Sequence, residues 1–136
     1  MIVVDTNIIG YLYLTSSHSI QAEQVLVKDP LWAAPLLWRS EFRNVLANYL
    51  RKKILRLEEA QQIMSEAMRL MYEREYEVTS LQVLSLAASS NCSAYDCEFV
   101  ALAEDLGLPL ITVDKHILDQ FPEVAVSLDK FATNHC

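Results

Sequence analysis

Two short runs of apolar residues, each followed by an aspartate, constrain the fold of this 136-residue chain most strongly. The first run, IVV at positions 2–4, precedes Asp5, and the second, LITV at positions 110–113, precedes Asp114. Runs that are apolar throughout, rather than alternating with polar residues, are typical of strands buried on both faces of a parallel sheet. Parallel strands require long crossover connections, and helical patterns fill the sequence between the two runs.

The remaining sequence alternates between helical and strand patterns. We expect helices beginning near Asn7 and over 19–27, 36–51, 57–74, 79–88, 94–106 and 115–121, and strands over 2–4, 31–35, 76–80, 110–113 and 124–127. Strands separated by helices imply right-handed crossovers that place helices on both faces of the sheet. The predicted fold is a three-layer α/β/α sandwich around a central parallel sheet of about five strands. The length suits one domain over residues 1–136.

The composition indicates which class of protein this chain belongs to. Hydrophobic residues make up 52% of the chain, with two Gly and four Pro, which is typical of a globular rather than a disordered protein. The apolar N-terminus lacks a positive leading segment, carries Asp5 and is too short to span a bilayer, so we expect a cytoplasmic protein without a membrane contact. Neither a disulfide framework nor a zinc site is indicated, because the Cys and His residues lack the required spacing. They are Cys92, Cys97, Cys136, His18, His116 and His135.

Four carboxylates are predicted to meet at the carboxyl edge of the sheet, where open α/β folds bind their ligands. Asp5 and Asp114 follow strands directly. The helices run antiparallel to the strands, so the first turn of each helix also lies at the carboxyl edge. Asp96 is in the first turn of its helix, and Glu41 is at most ~8 Å from the start of its helix. Clustered carboxylates repel each other unless a cation neutralises them. An oxygen-rich cluster with little His or Cys favours Mg²⁺ or Mn²⁺.

The same four residues also fit structural roles. Asp5 and Asp114 stand where N-caps are found, and each such cap contributes ~1 kcal/mol. Asp96 and Ser93 form the Ser-x-x-Asp pattern of a capping box. Glu41 lies at the border of the apolar face of its helix, where a solvated side chain is ordinary. Capping does not explain why all four carboxylates are predicted at one edge.

Three motifs carry a family resemblance: MIVVDTN, WRSEFRNVL and SAYDCEFVALAEDLGLPLITVD. Over essentially its whole length the chain resembles the PIN-domain nucleases, and within them the VapC-type toxins of toxin–antitoxin pairs. The resemblance implies RNA hydrolysis that depends on Mg²⁺ or Mn²⁺, a cognate antitoxin and a homodimer. It maps the acidic quartet onto Asp5, Glu41, Asp96 and Asp114, and supporting polar positions onto Thr6, Asn7 and Thr112. Lys115 stands where the family often has Arg.

The resemblance suggests Asp5 and Asp96 as the tightest metal ligands. Asp114 and Glu41 are expected to complete the metal site directly or through water, and either one could orient the attacking water. Two other functions stay open. A haloacid-dehalogenase-like phosphatase shares the topology, but that family requires Asp-x-Asp after the first strand, and this chain has DTN. A PIN-like module that binds metal or a partner without catalysis is the other alternative.

The net charge of −7 is unusual for a protein that binds a polyanion. Six of the 11 basic residues lie between positions 39 and 56, where Glu41 is the sole acid. This basic run fits a solvated helix flank, an RNA track or a contact with an acidic segment of an antitoxin. It comprises Arg39, Arg43, Arg51, Lys52, Lys53 and Arg56. Much of the remaining acid lies on the second long helix and after it and is expected to face solvent: Glu58, Glu59, Glu66, Glu73, Glu75 and Glu77. Four aromatic residues fit either the core or a dimer interface: Trp32, Trp38, Tyr11 and Tyr13.

Overall fold

The computed structural model describes residues 1–134, which form five strands and eight helices. Every strand contacts its neighbours in parallel, as the apolar runs predict. The elements are β1 (Ile2–Val4), α1 (Thr6–Tyr13), α2 (Ser19–Lys28), β2 (Trp32–Pro35), α3 (Leu37–Arg51), α4 (Leu57–Leu70), β3 (Glu75–Tyr76), α5 (Ser80–Ala88), α6 (Ala94–Leu106), β4 (Leu110–Thr112), α7 (Lys115–Gln120), β5 (Ala125–Ser127) and α8 (Leu128–Thr133).

The strand order β3-β2-β1-β4-β5 places β1 at the centre of the sheet. From β1 the chain proceeds to β2 and β3 on one side, whereas β4 pairs with the other side of β1. The direction in which successive strands are added to the sheet therefore reverses between β1 and β4. Open α/β sheets bind their ligands at a topological switch point of this kind. Asp5 and Asp114 follow these two strands, so the topology brings them to the same crevice.

The core is built from the strands and the helices that cover them. Val3 and Val4 are fully buried, and so are Trp32 and Trp38. The Trp38 ring packs against Phe42 with ring centroids 6.1 Å apart. The possibility that the two tryptophans form a dimer interface is therefore wrong, because their indoles are enclosed in the hydrophobic core of a single chain.

Most element bounds agree with the predictions to within one residue, and three features differ more. Helix α4 ends at Leu70 rather than at residue 74, because a turn follows in which Glu73 adopts a left-handed φ of 66°. Strand β3 begins at Glu75, before the predicted run at 76–80. Helix α8 was not predicted, because a helix of six residues is too short to show a periodic pattern of apolar residues. The Ser127 hydroxyl caps it by accepting a hydrogen bond from the Lys130 N–H.

Helix α6 begins and ends as the sequence predicts. The Ser93 hydroxyl accepts a hydrogen bond from the Asp96 N–H at 3.1 Å, and Gly107 ends the helix with a φ of 65°. A left-handed conformation at this position favours glycine, because it lacks the Cβ that causes the steric cost.

For α5 the predicted capping box is wrong: among the residues that the structure describes, the Thr79 side chain caps no backbone N–H.

Cys92 and Cys97 are buried free thiols, in agreement with the sequence. The predictions for His135 and Cys136 lie outside the described residues. Within residues 1–134, none of the helices has the length and apolar character needed to cross a membrane.

Candidate metal centre

All four predicted carboxylates line one cavity of about 270 Å³. Asp5 reaches it from the end of β1 and Glu41 from the second turn of α3. Asp96 reaches it from the first turn of α6, and Asp114 from the start of α7. Between these acids the cavity is lined by Thr6, Asn7, Asn44 and Val45. Thr6 and Asn7 are two of the three predicted supporting residues.

Asp5 is the deepest of the four acids, with 9% of its surface exposed. One carboxylate oxygen accepts from the Thr6 N–H at 2.8 Å, and the other accepts from the Thr112 hydroxyl at 2.8 Å. Burial raises the pKa of Asp5 from 3.8 to about 6, against the lowering effect of these two hydrogen bonds. The negative charges of Glu41 and Asp96 raise the pKa of Asp5 further.

Glu41 is half-buried and is held in place by a side chain of α1. The Thr6 hydroxyl donates to Glu41 Oε1 at 2.7 Å. Burial is the main cause of the raised pKa of Glu41, and the charges of Asp96 and Glu98 add to it. Glu98 is an electrostatic neighbour of the site that the sequence did not predict. Residues two apart on a helix do not share a face, so no local pattern connects Glu98 with Asp96.

Asp96 and Asp114 line the cavity from the starts of two helices, α6 and α7. Asp114 Oδ1 accepts from the N–H groups of His116 and Ile117 at 2.8 and 3.2 Å, which makes it the N-cap of α7. Burial raises the pKa of Asp96, the Asp114 charge raises it further, and interactions with Ser93 and His116 oppose the rise. Strand β4 ends at Thr112, so Asp114 lies one residue further from the strand than predicted.

Thr112 connects the two strand-end aspartates beneath the cavity. Its fully buried hydroxyl donates to Asp5 Oδ2 at 2.8 Å and accepts from the Asp114 N–H at 3.0 Å. One side chain thus fixes the rotamer of Asp5 and the start of the turn that carries Asp114. This contact gives a physical role to the third predicted supporting residue.

We expect Thr112→Val to destabilise the fold by about 1–3 kcal/mol, because the part-buried Asp114 N–H and the buried Asp5 carboxylate each lose a partner. The pKa of Asp5 should also rise above its present value of about 6, because the Thr112 hydrogen bond lowers it. Urea denaturation and a carboxyl NMR titration measure the two effects. Thr133→Val is the matched control, because the Thr133 hydroxyl donates to a backbone carbonyl on the exposed side of α8. Equal stability of both variants would contradict the coupling role of Thr112.

The donor set of the cavity fits a hard divalent cation. The lining residues offer carboxylate, amide and hydroxyl oxygens, the ligands preferred by Mg²⁺ and Mn²⁺. Within residues 1–134, no group of three or more His, Cys, Asp or Glu side chains is already arranged to hold a metal ion. Mg²⁺ commonly binds through one or two carboxylates and keeps several waters, so a cavity of this kind can accommodate it without a complete protein cage.

Comparison with known proteins decides the family. The family model of the PIN domain matches residues 2–125, which include strands β1 to β4, the first residue of β5 and the whole cavity. The chain belongs to the PIN-domain family. The resemblance inferred from the three sequence motifs is thereby confirmed.

This PIN domain is similar to Ribonuclease VapC3 of Pyrobaculum aerophilum, with 29% identity over 124 residues that cover 89% of this chain and 95% of the relative. Its fold is similar to the crystal structure of PAE2754 from Pyrobaculum aerophilum, with a TM-score of 0.71, 20% identity, and coverage of 96% of this chain and 92% of that chain. A toxin–antitoxin complex from Klebsiella pneumoniae gives a TM-score of 0.71 at 18% identity, covering 94% and 98% of the two chains. The predicted α/β fold with a central parallel sheet is thereby confirmed.

Proposed function

We propose that this PIN domain is an endoribonuclease that hydrolyses RNA phosphodiester bonds with the aid of Mg²⁺ or Mn²⁺, and that it is the toxin of a toxin–antitoxin pair. The observation that carries the proposal is the single cavity shared by four carboxylates from four different elements. Similarity to Ribonuclease VapC3 supports RNA as the substrate. Similarity of fold to a toxin–antitoxin complex supports an antitoxin as the partner.

We assign the tightest hold on the cation to Asp5 and Asp96, whose charges interact across the cavity and whose pKa values are both raised by burial. Asp114 would complete the site directly or through water. A bound cation supplies positive charge that neutralises these carboxylates and the phosphate, and it acidifies water. Without a cation, four acids in one cavity would repel a phosphodiester.

Glu41 is the residue that we assign to orienting the attacking water. Its Oε1 is fixed by the Thr6 hydroxyl, and its raised pKa makes it a stronger proton acceptor than an ordinary glutamate. Asp114 is less suited to this role, because its Oδ1 accepts two backbone hydrogen bonds at the start of α7. The amides of Asn7 and Asn44 line the same cavity and can donate to phosphate oxygens.

The remaining parts of the proposal concern the assembly and its location. We assign a homodimer and a cytoplasmic location to this protein, where a toxin meets both RNA and its antitoxin. The dimer rests on the family resemblance, since the two tryptophans that suggested an interface are in the core.

Purified protein freed of antitoxin tests the proposal when it is incubated with RNA in Mg²⁺, in Mn²⁺ and in EDTA. We expect cleavage with either metal and none in EDTA. Cleavage that is equally fast in EDTA would refute the role of the metal. A failure to cut structured and unstructured RNAs under all conditions would favour a non-catalytic binding module. Release of phosphate from small monoesters without RNA cleavage would favour a phosphatase.

A further inference from the structure

A second groove adjoins the acidic cavity. It has a volume of about 160 Å³ and lies between α1 and α3. It shares Thr6, Asn7 and Val45 with the acidic cavity, so the two lie side by side. Beyond these shared residues, the groove is lined by the aromatic side chains Tyr11 and Tyr49. A substrate whose phosphate reaches the carboxylates would therefore continue past two tyrosines.

Tyr11 lies close to both the groove and the acids. Its ring is partly buried and packs against His18 with centroids 4.5 Å apart and a tilt of 35°. Burial raises the pKa of the Tyr11 hydroxyl, and the charge of Asp5 raises it further, which agrees with a position beside the deepest carboxylate. Tyr11 thus offers an aromatic surface within electrostatic range of the proposed metal site.

The face of α3 that leads away from the cavity becomes basic at its end. Asn44, Asn48 and Arg51 are exposed residues at helical spacing, and Arg51 Nη1 donates to Asn48 Oδ1 at 3.0 Å. Lys52 follows Val45 and Tyr49 at the same kind of spacing and ends the helix. Along this face of α3, the first residues line the acidic cavity, the next line the groove, and the last are positively charged.

Two members of the basic run are already paired elsewhere. Arg39 donates to both carboxylate oxygens of Glu75 at 2.5 and 2.6 Å, and Arg56 forms an ion pair with Glu59 at 3.3 Å. The prediction that Glu75 faces solvent is wrong for this reason. The other four members of the run are all exposed, and three of them are consecutive at the end of α3: Arg43, Arg51, Lys52 and Lys53.

We propose that the groove between α1 and α3 binds an unpaired nucleotide of the RNA substrate next to the scissile phosphate, with its base against Tyr11, and that Arg51 and Lys52 contact the phosphates beyond it. The inference rests on the proposed function. Aromatic rings beside a line of amide and basic groups are the combination with which proteins bind single-stranded nucleic acid. A paired base cannot present its face to Tyr11, so the groove selects single-stranded over duplex RNA.

Steady-state cleavage of a short single-stranded RNA tests the groove. Tyr11→Leu should raise KM about tenfold with kcat changed less than about twofold, because stacking contributes to binding rather than to chemistry. Tyr11→Phe keeps the ring and should retain the wild-type KM.

The double variant Arg51→Ala/Lys52→Ala should reduce the slope of log kcat/KM against log salt concentration by about 1–2. Lys130→Ala, which removes an exposed charge from α8, is the matched control and should leave the slope unchanged.

The outcomes separate this inference from the proposed function. If the wild type cuts no RNA in either metal, the proposed function fails. If the wild type cuts RNA while Tyr11→Leu and the double variant keep the wild-type KM and salt slope, the groove assignment alone is overturned. If Tyr11→Leu leaves cleavage unchanged but weakens inhibition by a co-purified antitoxin, the groove is a protein-docking surface, which also overturns the assignment. Equal cleavage of duplex and single-stranded forms of the same sequence would do the same.

Discussion

Asp96→Asn is expected to abolish RNA cleavage and to leave the fold intact. The substitution removes one negative charge from the cavity and keeps the side-chain shape, so the Ser93 cap on the Asp96 backbone N–H is unaffected. Loss of activity by at least about 100-fold corresponds to about 2.7 kcal/mol of lost transition-state stabilisation. Single-turnover cleavage in saturating Mg²⁺ or Mn²⁺ measures the chemical step, and circular dichroism checks the fold.

Asp105→Asn is the matched control for this experiment. Asp105 lies on the same helix, α6, and its side chain is exposed, so the substitution changes the net charge equally without touching the cavity. We expect its activity to be within about twofold of the wild type. An Asp96→Asn protein that cuts RNA as fast as Asp105→Asn would show that the site has been assigned wrongly.

The metal-free protein is expected to lose stability as the pH rises from about 4 to about 7. Asp5 has a pKa of about 6 in the folded state, compared with 3.8 for an unburied aspartate. The folded state therefore binds more protons than the unfolded state between these values, and the free energy of unfolding falls with pH. Each pKa unit corresponds to about 1.4 kcal/mol, so ionised Asp5 costs the fold about 3 kcal/mol at neutral pH. The raised pKa values of Glu41 and Asp96 act in the same direction.

Asp5→Asn tests this cost directly. We expect the variant to be more stable than the wild type by about 1–3 kcal/mol at pH 8 in EDTA, because the buried charge is gone. At pH 4, where Asp5 is protonated in the folded state, the difference should nearly vanish. Urea denaturation at both pH values gives the two free energies. A variant that is less stable than the wild type at pH 8 would indicate that the Thr6 and Thr112 hydrogen bonds outweigh the cost of burial.

Much of the site could be predicted because its positions follow from topology alone. Asp5 and Asp114 follow apolar runs, and parallel strands end at one edge, so their proximity needs no knowledge of packing. Glu41 was placed by its distance from the start of its helix. The capping alternatives and the cavity turned out to be compatible, since Asp114 uses one oxygen to cap α7 while lining the cavity.

The features that were missed depend on tertiary contacts. Glu75 was assigned to solvent from its charge, yet Trp38 and Arg39 both donate to its carboxylate and so stabilise the two-residue strand β3. The influence of Glu98 on Glu41 likewise arises only in the folded chain, where a residue of α6 comes within electrostatic range of a residue of α3. Neither contact has a local signature, because the partners are far apart in the sequence.

Binding of Mn²⁺, measured by isothermal titration calorimetry, tests most directly whether the acidic cavity is a metal site. The wild type and Asp105→Asn should bind the ion with the same affinity. Asp96→Asn and Asp5→Asn should bind it at least about tenfold more weakly, since each removes a ligand charge. Equal affinity in all four proteins, or no binding to the wild type, would contradict the assignment of Asp5 and Asp96 as the centre of the site.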